Sequence, residues 1–313
     1  MDTQAPSGPG RTVNPLRHIA RVTLRTASLE RMTDFYTQTL GLVAGEETAS
    51  GVPLFAVGGT EPLIVLEPLV RPGIAHARTT GLFHLALRTP DRTGVARILH
   101  ALVQQDWPLD GAADHIVSEA LYLTDPEGNG VEVYADRPAA EWEWRERHVR
   151  MATLPLDLRA LMDLKIEGED FGVPASTTMG HAHLRVSSLR KAEDFYCGIL
   201  GFDVTSRAYP GALFVSANGY HHHLGLNTWA SLDGPAAAPD APGLASLTIR
   251  VEGTDFPGTL HDRLHSRGLP SMATKDGILC TRDFDGIGIE FDTAPLHHNE
   301  ASQIIYQHQR SSL

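Results

Sequence analysis

The sequence predicts an α+β protein built from four β-α-β-β-β modules that pair into two curled, mostly antiparallel sheets. Three observations predict it. The chain carries an internal repeat, and its strand candidates alternate apolar and polar residues, as in RVTLR and GVEVY, which suits sheets with one buried face. Each repeat spans only roughly fifty to sixty residues, too few to bury its own hydrophobic face, so copies must pair. The length of 313 residues suggests about two domains, which agrees with two pairs of modules.

The clearest copies are RVTLRTASLERMTDFYTQTLGL at 21–42 and HLRVSSLRKAEDFYCGILGF at 183–202. Each runs from a strand through Ser-Leu into a helix that ends Asp-Phe-Tyr, then Leu-Gly. Ser28 and Ser188 are N-cap candidates, and Gly41 and Gly201 stand where each helix must stop in a left-handed turn. Two looser copies begin FHLALRTPD at 83–91 and SLTIRVEGTD at 246–255, with helices expected near 95–104 and 259–266. They match again late in the copy, as YLTDPEGNGVEVYAD against CTRDFDGIGIEFDT. DPEGNG lacks a full calcium-loop spacing and reads as a hairpin turn. The expected organisation is a flexible tail at 1–15, modules 1 and 2 at 16–138, a connector at 139–178 with one helix near 156–164, modules 3 and 4 at 179–296, and a tail at 297–313.

This layout closely resembles the vicinal oxygen chelate superfamily. The segments GLFHLALRTPDR, DHIVSEALYLTDPEGNGVEVYADRP, GHAHLRVSSL and YHHHLGLNTW are similar to its catechol-2,3-dioxygenase branch, the type I extradiol enzymes. The resemblance covers about His18 to Thr293 and implies the glyoxalase/extradiol dioxygenase fold, with metal positions on the first and last strands of each module. Aligned on Arg25, Arg88, Arg185 and Arg250, the first-strand positions are Arg21, His84, His181 and Ser246. The last-strand positions are Ile64, Glu132, Gly225 (or, slipped by two, His223) and Glu290.

Pairing in sequence order would leave neither pair with three good ligands. Crossed pairing of modules 2 and 3 collects His84, Glu132 and His181, a two-histidine, one-carboxylate set that suits non-haem Fe(II) and leaves positions open for substrate and oxygen. Modules 1 and 4 would then share Arg21, Ile64, Ser246 and Glu290, which hold no metal. Crossed pairing is therefore expected. Fe(II) is the expected cofactor, with Mn(II) as the alternative. Glu67 is expected off the metal face and solvated.

Around that set the resemblance implies proton-handling groups. Tyr122 lies ten residues before Glu132 on the adjacent strand, where a hydroxyl can reach substrate, and the fourth module has Cys280 at that place. His222, in YHHHLGLN, matches a catalytic histidine of the family, with His223 as its competitor because strand alternation turns one of them inward. His115 is the third catalytic candidate. His183, His223 and Trp229 are candidate substrate contacts, and the loops at 72–80 and 228–241 would read ring substituents.

The formal net charge of −12 and the absence of a basic run argue against a nucleic-acid partner. No apolar stretch has the length of a membrane span, and the first fifteen residues lack the core of a signal peptide. Cys197 and Cys280 have no metal-binding spacing, which suits a reduced, cytoplasmic protein. Edge strands of such modules commonly pair, so a homo-oligomer is expected. The expected activity is ring cleavage of a catechol or related dihydroxy aromatic with O₂. The rivals are a glyoxalase-type isomerase or transferase, which would want Glu or Gln where Gly225 stands, and a non-catalytic aromatic-binding protein, which would not need the triad.

Overall fold

Each repeat forms a strand, a helix and three further strands, because apolar alternation gives every strand one face to bury. The computed structural model describes residues 14–293 except 77, 167–171, 254 and 276. The tail expected at 297–313, and residues 1–13 of the one expected at 1–15, lie outside the described residues. The first strands of the four modules are Leu16–Thr26, Gly81–Arg88, Thr178–Arg185 and Gly243–Val251. The last strands are Pro62–Pro68, Gly130–Asp136, Leu224–Asn227 and Gly288–Asp292.

The pairing is crossed. First strands of modules 2 and 3 lie antiparallel, with His84 opposite His183 and Ala86 opposite His181. Each is flanked on its other side by the last strand of its own module, in parallel. Modules 2 and 3 thus make a nine-stranded sheet, whose edge includes the short strand Leu154–Pro155 from the connector. Modules 1 and 4 make an eight-stranded sheet by the same scheme. Residues 16–138 and 179–296 are each continuous in sequence but contribute to both sheets.

The helices fall at Arg92–Gln104, Phe256–Ser266 and, in the connector, Leu158–Met162. In modules 1 and 3 the helix starts as a short α-helical segment and widens into a π-helical turn, Phe35–Thr39 and Glu193–Leu200. Gly41 and Gly201 follow at φ 73° and 97°, conformations that glycine adopts without Cβ strain. Ser188 caps its helix through Lys191 N. Ser28 holds the equivalent position but makes no side-chain cap. There the Glu127 carboxylate accepts from the Ala27 and Ser28 amides, supplying an anion to the helix start.

Glu127 belongs to the DPEGNG turn, so module 2 is fastened onto module 1. Asp125 of the same turn accepts from the buried Tyr36 hydroxyl at 3.1 Å. The fourth module repeats the device on the third, with Tyr196 Oη to Asp283 Oδ2 at 2.9 Å and Ser187 N to Asp285 Oδ2 at 2.8 Å. These contacts tie one sheet to the other. One hydrophobic core continues across both, with Leu24, Ile64, Leu85, Leu184 and Leu247 all fully buried in it. Among the described residues no helix is long and apolar enough to cross a membrane.

Among the described residues the sheet of modules 1 and 4 brings no metal-capable cluster together. Arg21 Nη2 lies 3.0 Å from Glu290 Oε2, and Ser246 and Thr248 hydroxyls donate to the same carboxylate at 3.0 and 2.9 Å. The guanidinium neutralises the buried Glu290, and breaking such a pair costs about 3–5 kcal/mol because one charge is left alone. Glu67 corrects an expectation: it is half-buried rather than solvated. Burial first, then the nearby Glu290, pushes its carboxyl up to about 7, against an opposing pull from Arg25. A carboxyl raised in the folded state stabilises most when protonated, below the ordinary carboxyl range, and that contribution is lost as pH rises through about 7. Glu67→Gln should therefore melt at a higher temperature than wild type at pH 8 and at the same temperature at pH 4. A difference that does not change with pH would show that Glu67 ionises freely.

Candidate metal centre

The register of modules 2 and 3 brings three side chains to one point on the inner face of their sheet. His84 and His181 come from the two antiparallel first strands. Glu132 comes from the neighbouring last strand, beside Ala86. Their side-chain atoms form a triangle: His84 Nε2 to His181 Nε2 is 3.3 Å, His84 Nε2 to Glu132 Oε2 3.0 Å, and His181 Nε2 to Glu132 Oε2 3.1 Å. Three donors at right angles around a cation, with bonds of about 2.1 Å, stand about 3.0 Å apart. The donor set and its spacing therefore fit one face of an octahedral divalent metal. All three residues are buried, and they form a metal-capable cluster.

Glycine makes the approach of the strands possible. A Cβ on Gly130 would lie 2.4 Å from the Phe83 carbonyl and 2.9 Å from His84 Cβ, and one on Gly180 2.0 Å from the Tyr134 hydroxyl. Burial by itself would raise the Glu132 carboxyl, but the His181 and His84 imidazoles overcome it and hold it well below the usual range. Burial lowers His181, whose Nδ1 has no hydrogen-bond partner among the described residues. Its ring is held by packing between Tyr134 at 4.9 Å and His222 at 4.2 Å.

Tyr122 lies directly across the strand pair from Glu132, as Cys280 does from Glu290. Its hydroxyl is 2.6 Å from His115 Nε2. His115 Nδ1 is 2.8 Å from the Ala152 carbonyl, which can only accept. In a neutral ring Nδ1 then carries the proton and Nε2 accepts from Tyr122. Burial and the Glu132 charge push the Tyr122 hydroxyl well above its ordinary value.

Of the three consecutive histidines, His222 is the one packed against His181, its ring tilted at 52°. Burial, with the neighbouring histidines, holds its imidazole well below the usual value. His223 turns to the other side: its Nδ1 accepts from Ala217 N and lies 2.9 Å from Ser216 Oγ, and its ring packs on Tyr220. His183 lies 5.0 Å from the His84 ring, and its Nε2 is buried without a partner among the described residues. Gly225 sits beside it, where a Cβ would come within 2.8–3.0 Å of the ring. The space a fourth ligand would need is thus filled by His183. Trp229, 50% exposed, and Phe83, 40% exposed, complete an aromatic wall with His183 at ring separations of 5.1–5.4 Å.

Sequence reasoning did not single out Phe83, His221, Asp136 or Phe214. Phe83 had a signal, a large apolar residue at the polar phase of its strand. Phe214 packs on His183 and His222 within its own module, His221 contacts its neighbour His222, and Asp136 reaches His221 across two modules, a contact that strand patterning does not encode.

The fold has known counterparts. Residues 18–133 and 178–291 match the Glyoxalase/Bleomycin resistance protein/Dioxygenase superfamily, and the chain belongs to that superfamily, the vicinal oxygen chelate proteins. It is 40% identical over 277 residues to catechol-2,3-dioxygenase of Bacillus subtilis (strain 168), across 88% of this chain and 96% of that protein. Similar solved structures include glyoxalase I from Zea mays (TM-score 0.54, 13% identity, 88% of this chain and 92% of that one). The cppA protein from Streptococcus pneumoniae TIGR4 is another (TM-score 0.56, 14% identity, 89% and 100%). These two share the fold.

Purified protein should hold one Fe(II) or Mn(II) per chain, and His84→Ala should lose it, as read by elemental analysis after gel filtration. Full occupancy in the variant would move the metal elsewhere. Gly225→Ala should cost about 1–3 kcal/mol through crowding of the His183 ring, measured by urea denaturation. An unchanged midpoint would show that the ring yields without strain.

Proposed function

We propose that this ring-cleaving oxidoreductase is an Fe(II)-dependent extradiol dioxygenase that opens a catechol or related dihydroxy aromatic with O₂. The observation that carries the reading is the buried triangle of His84, His181 and Glu132 at the meeting of two modules. Three donors on one face leave the opposite face for a diol and O₂, and Fe(II) held there would supply the electron path between them. Mn(II) suits the same donors.

The protein's part is to place the ring and move protons. Phe83, His183 and Trp229 offer edges and faces to an aromatic ring. The unpartnered His183 Nε2 is available to a substrate oxygen. The Tyr122 hydroxyl donates to His115 Nε2 while its oxygen can still accept. A diol proton taken by that oxygen is matched by Tyr122's own proton passing to His115, so the tyrosine stays neutral, as its raised pKa requires. His222, buried against His181, would serve as the second group that takes and returns a proton. His223, on the other face, supports this strand through Ser216 rather than meeting substrate. A small aromatic diol and O₂ are the partners proposed, in a cytoplasmic homo-oligomer.

A glyoxalase-type isomerase or transferase is disfavoured because His183 occupies the space of a fourth ligand. A binding protein would have no use for three convergent buried donors.

The test is O₂ uptake after anaerobic Fe(II) loading, with catechol added. Uptake with a coloured ring-opened product is expected, abolished by His84→Ala and reduced about a hundredfold in kcat by Tyr122→Phe. A stoichiometric metal with no uptake on any catechol would overturn the proposal.

A further inference from the structure

A cavity of about 260 Å³ opens where modules 1, 2 and 3 meet. Arg17 and His18 line it from the first strand of module 1, and Arg88 from the first strand of module 2. Module 3 supplies its buried lining, including Met179 and Ala217. Tyr220 stands in the wall, with its hydroxyl 2.7 Å from that of the buried Tyr134, whose ring packs on His181. Tyr134 therefore lies between the cavity wall and the candidate metal centre, and nothing in the chemistry above uses this space.

The lining is cationic. In a chain of formal net charge −12, two arginines and a histidine face this cavity, and among the described residues no carboxylate lines it. Arg88 Nη1 bonds to Asp136 at 3.4 Å, and Arg17 Nη2 pairs with Glu252, but neither acid is part of the lining. A guanidinium carries five N–H donors, so a carboxylate held by one nitrogen leaves others for a second anion. Two neutral side chains add donors. His223 Nδ1 accepts from the Ala217 N–H, which leaves the ring's proton on Nε2. Thr178 has a buried hydroxyl oxygen with no hydrogen-bond partner among the described residues.

The walls are fixed without a ligand. Asn218, at φ 56° on the exposed rim, donates from Nδ2 to the Asn14 and Leu16 carbonyls at 3.1 and 2.7 Å. That ties the turn carrying Tyr220 to the start of module 1. The space is large for a simple inorganic anion, and Met179, Ala217 and the Tyr220 ring give it an apolar side. A few convergent donors beside apolar walls suit a charged group on a hydrocarbon body.

We propose that this cavity binds a small organic carboxylate. The Arg17 and Arg88 guanidinium groups hold the carboxylate through charge-assisted hydrogen bonds, and the hydrocarbon part lies against Met179, Ala217 and Tyr220.

The test is calorimetric titration of benzoate into full-length, metal-loaded protein at low ionic strength, with inorganic phosphate titrated in parallel. One benzoate per chain is expected, with a Kd of about 1 mM or below that weakens as salt is added. Arg88→Gln and His18→Glu should each weaken binding about tenfold or more. His18 is exposed, so His18→Glu puts a negative charge at the cavity without disturbing packing, and melting curves check that each variant folds. His84→Ala, altered at the candidate metal centre, should bind benzoate as the wild type does. No measurable binding by the wild type, or undiminished binding by folded Arg88→Gln and His18→Glu, would overturn the inference. Loss of binding in folded His84→Ala would place the benzoate at the metal centre and overturn it too. Phosphate bound as tightly as benzoate would rule out the organic class. Should Arg88→Gln or His84→Ala not fold, His18→Glu alone decides.

Discussion

Everything in this protein that bears on chemistry depends on one strand pairing, that of Gly81–Arg88 against Thr178–Arg185. The pair is antiparallel, and its register shifts twice, between Met179 and His181 and between His183 and Leu184. With those irregularities Nε2 of His84 and of His181 meet at 3.3 Å, although the two residues are 97 apart in sequence. A slip of one residue would send each imidazole to the opposite face of the sheet. Gly130 and Gly180 let the flanking backbone and Tyr134 approach closely enough to keep that register.

Burial of Glu132 is the companion constraint. An isolated carboxylate in a dry interior is costly, and the two imidazoles, with the cation they are shaped to hold, offset that cost. The other sheet meets the same demand differently: Glu290 is neutralised by Arg21 and hydrogen-bonded by Ser246 and Thr248. The two sheets thus use one architecture with either an exchangeable cation or a covalently attached one. That difference separates a candidate catalytic cup from a structural one.

Hydrogen-bonded side chains are layered behind the candidate ligands on both sides. Tyr122 leans on His115 and the Ala152 carbonyl from the connector, and His222 leans on His221 and Asp136. In each case a group that can only accept, the Ala152 carbonyl or the Asp136 carboxylate, lies at the far end. The acidic turns at Asp125 and Asp283 hold the two sheets together at a distance from this machinery.

The sequence by itself determined the modules, the helices after their first strands, the glycine helix ends and the crossed pairing. Ligand types repeat at equivalent positions, and only one combination of modules yields three metal donors. The membership of His84, Glu132 and His181 in one cluster follows from the same comparison. Only the tertiary structure decided the rest. Ser28 makes no side-chain cap, and a carboxylate from another module instead accepts from the Ala27 and Ser28 amides at the helix start. The Glu67 carboxyl is pushed up because burial and Glu290, far away in sequence, both act on it. His222 and His223 precede the strand Leu224–Asn227 rather than lying on it, so packing, not strand alternation, turns His222 to His181 and His223 to Ser216. His221 and Asp136 form a chain only when two modules come together. Local periodicity is a property of short segments, whereas burial, charge compensation and tautomer choice depend on atoms the chain brings together from far apart.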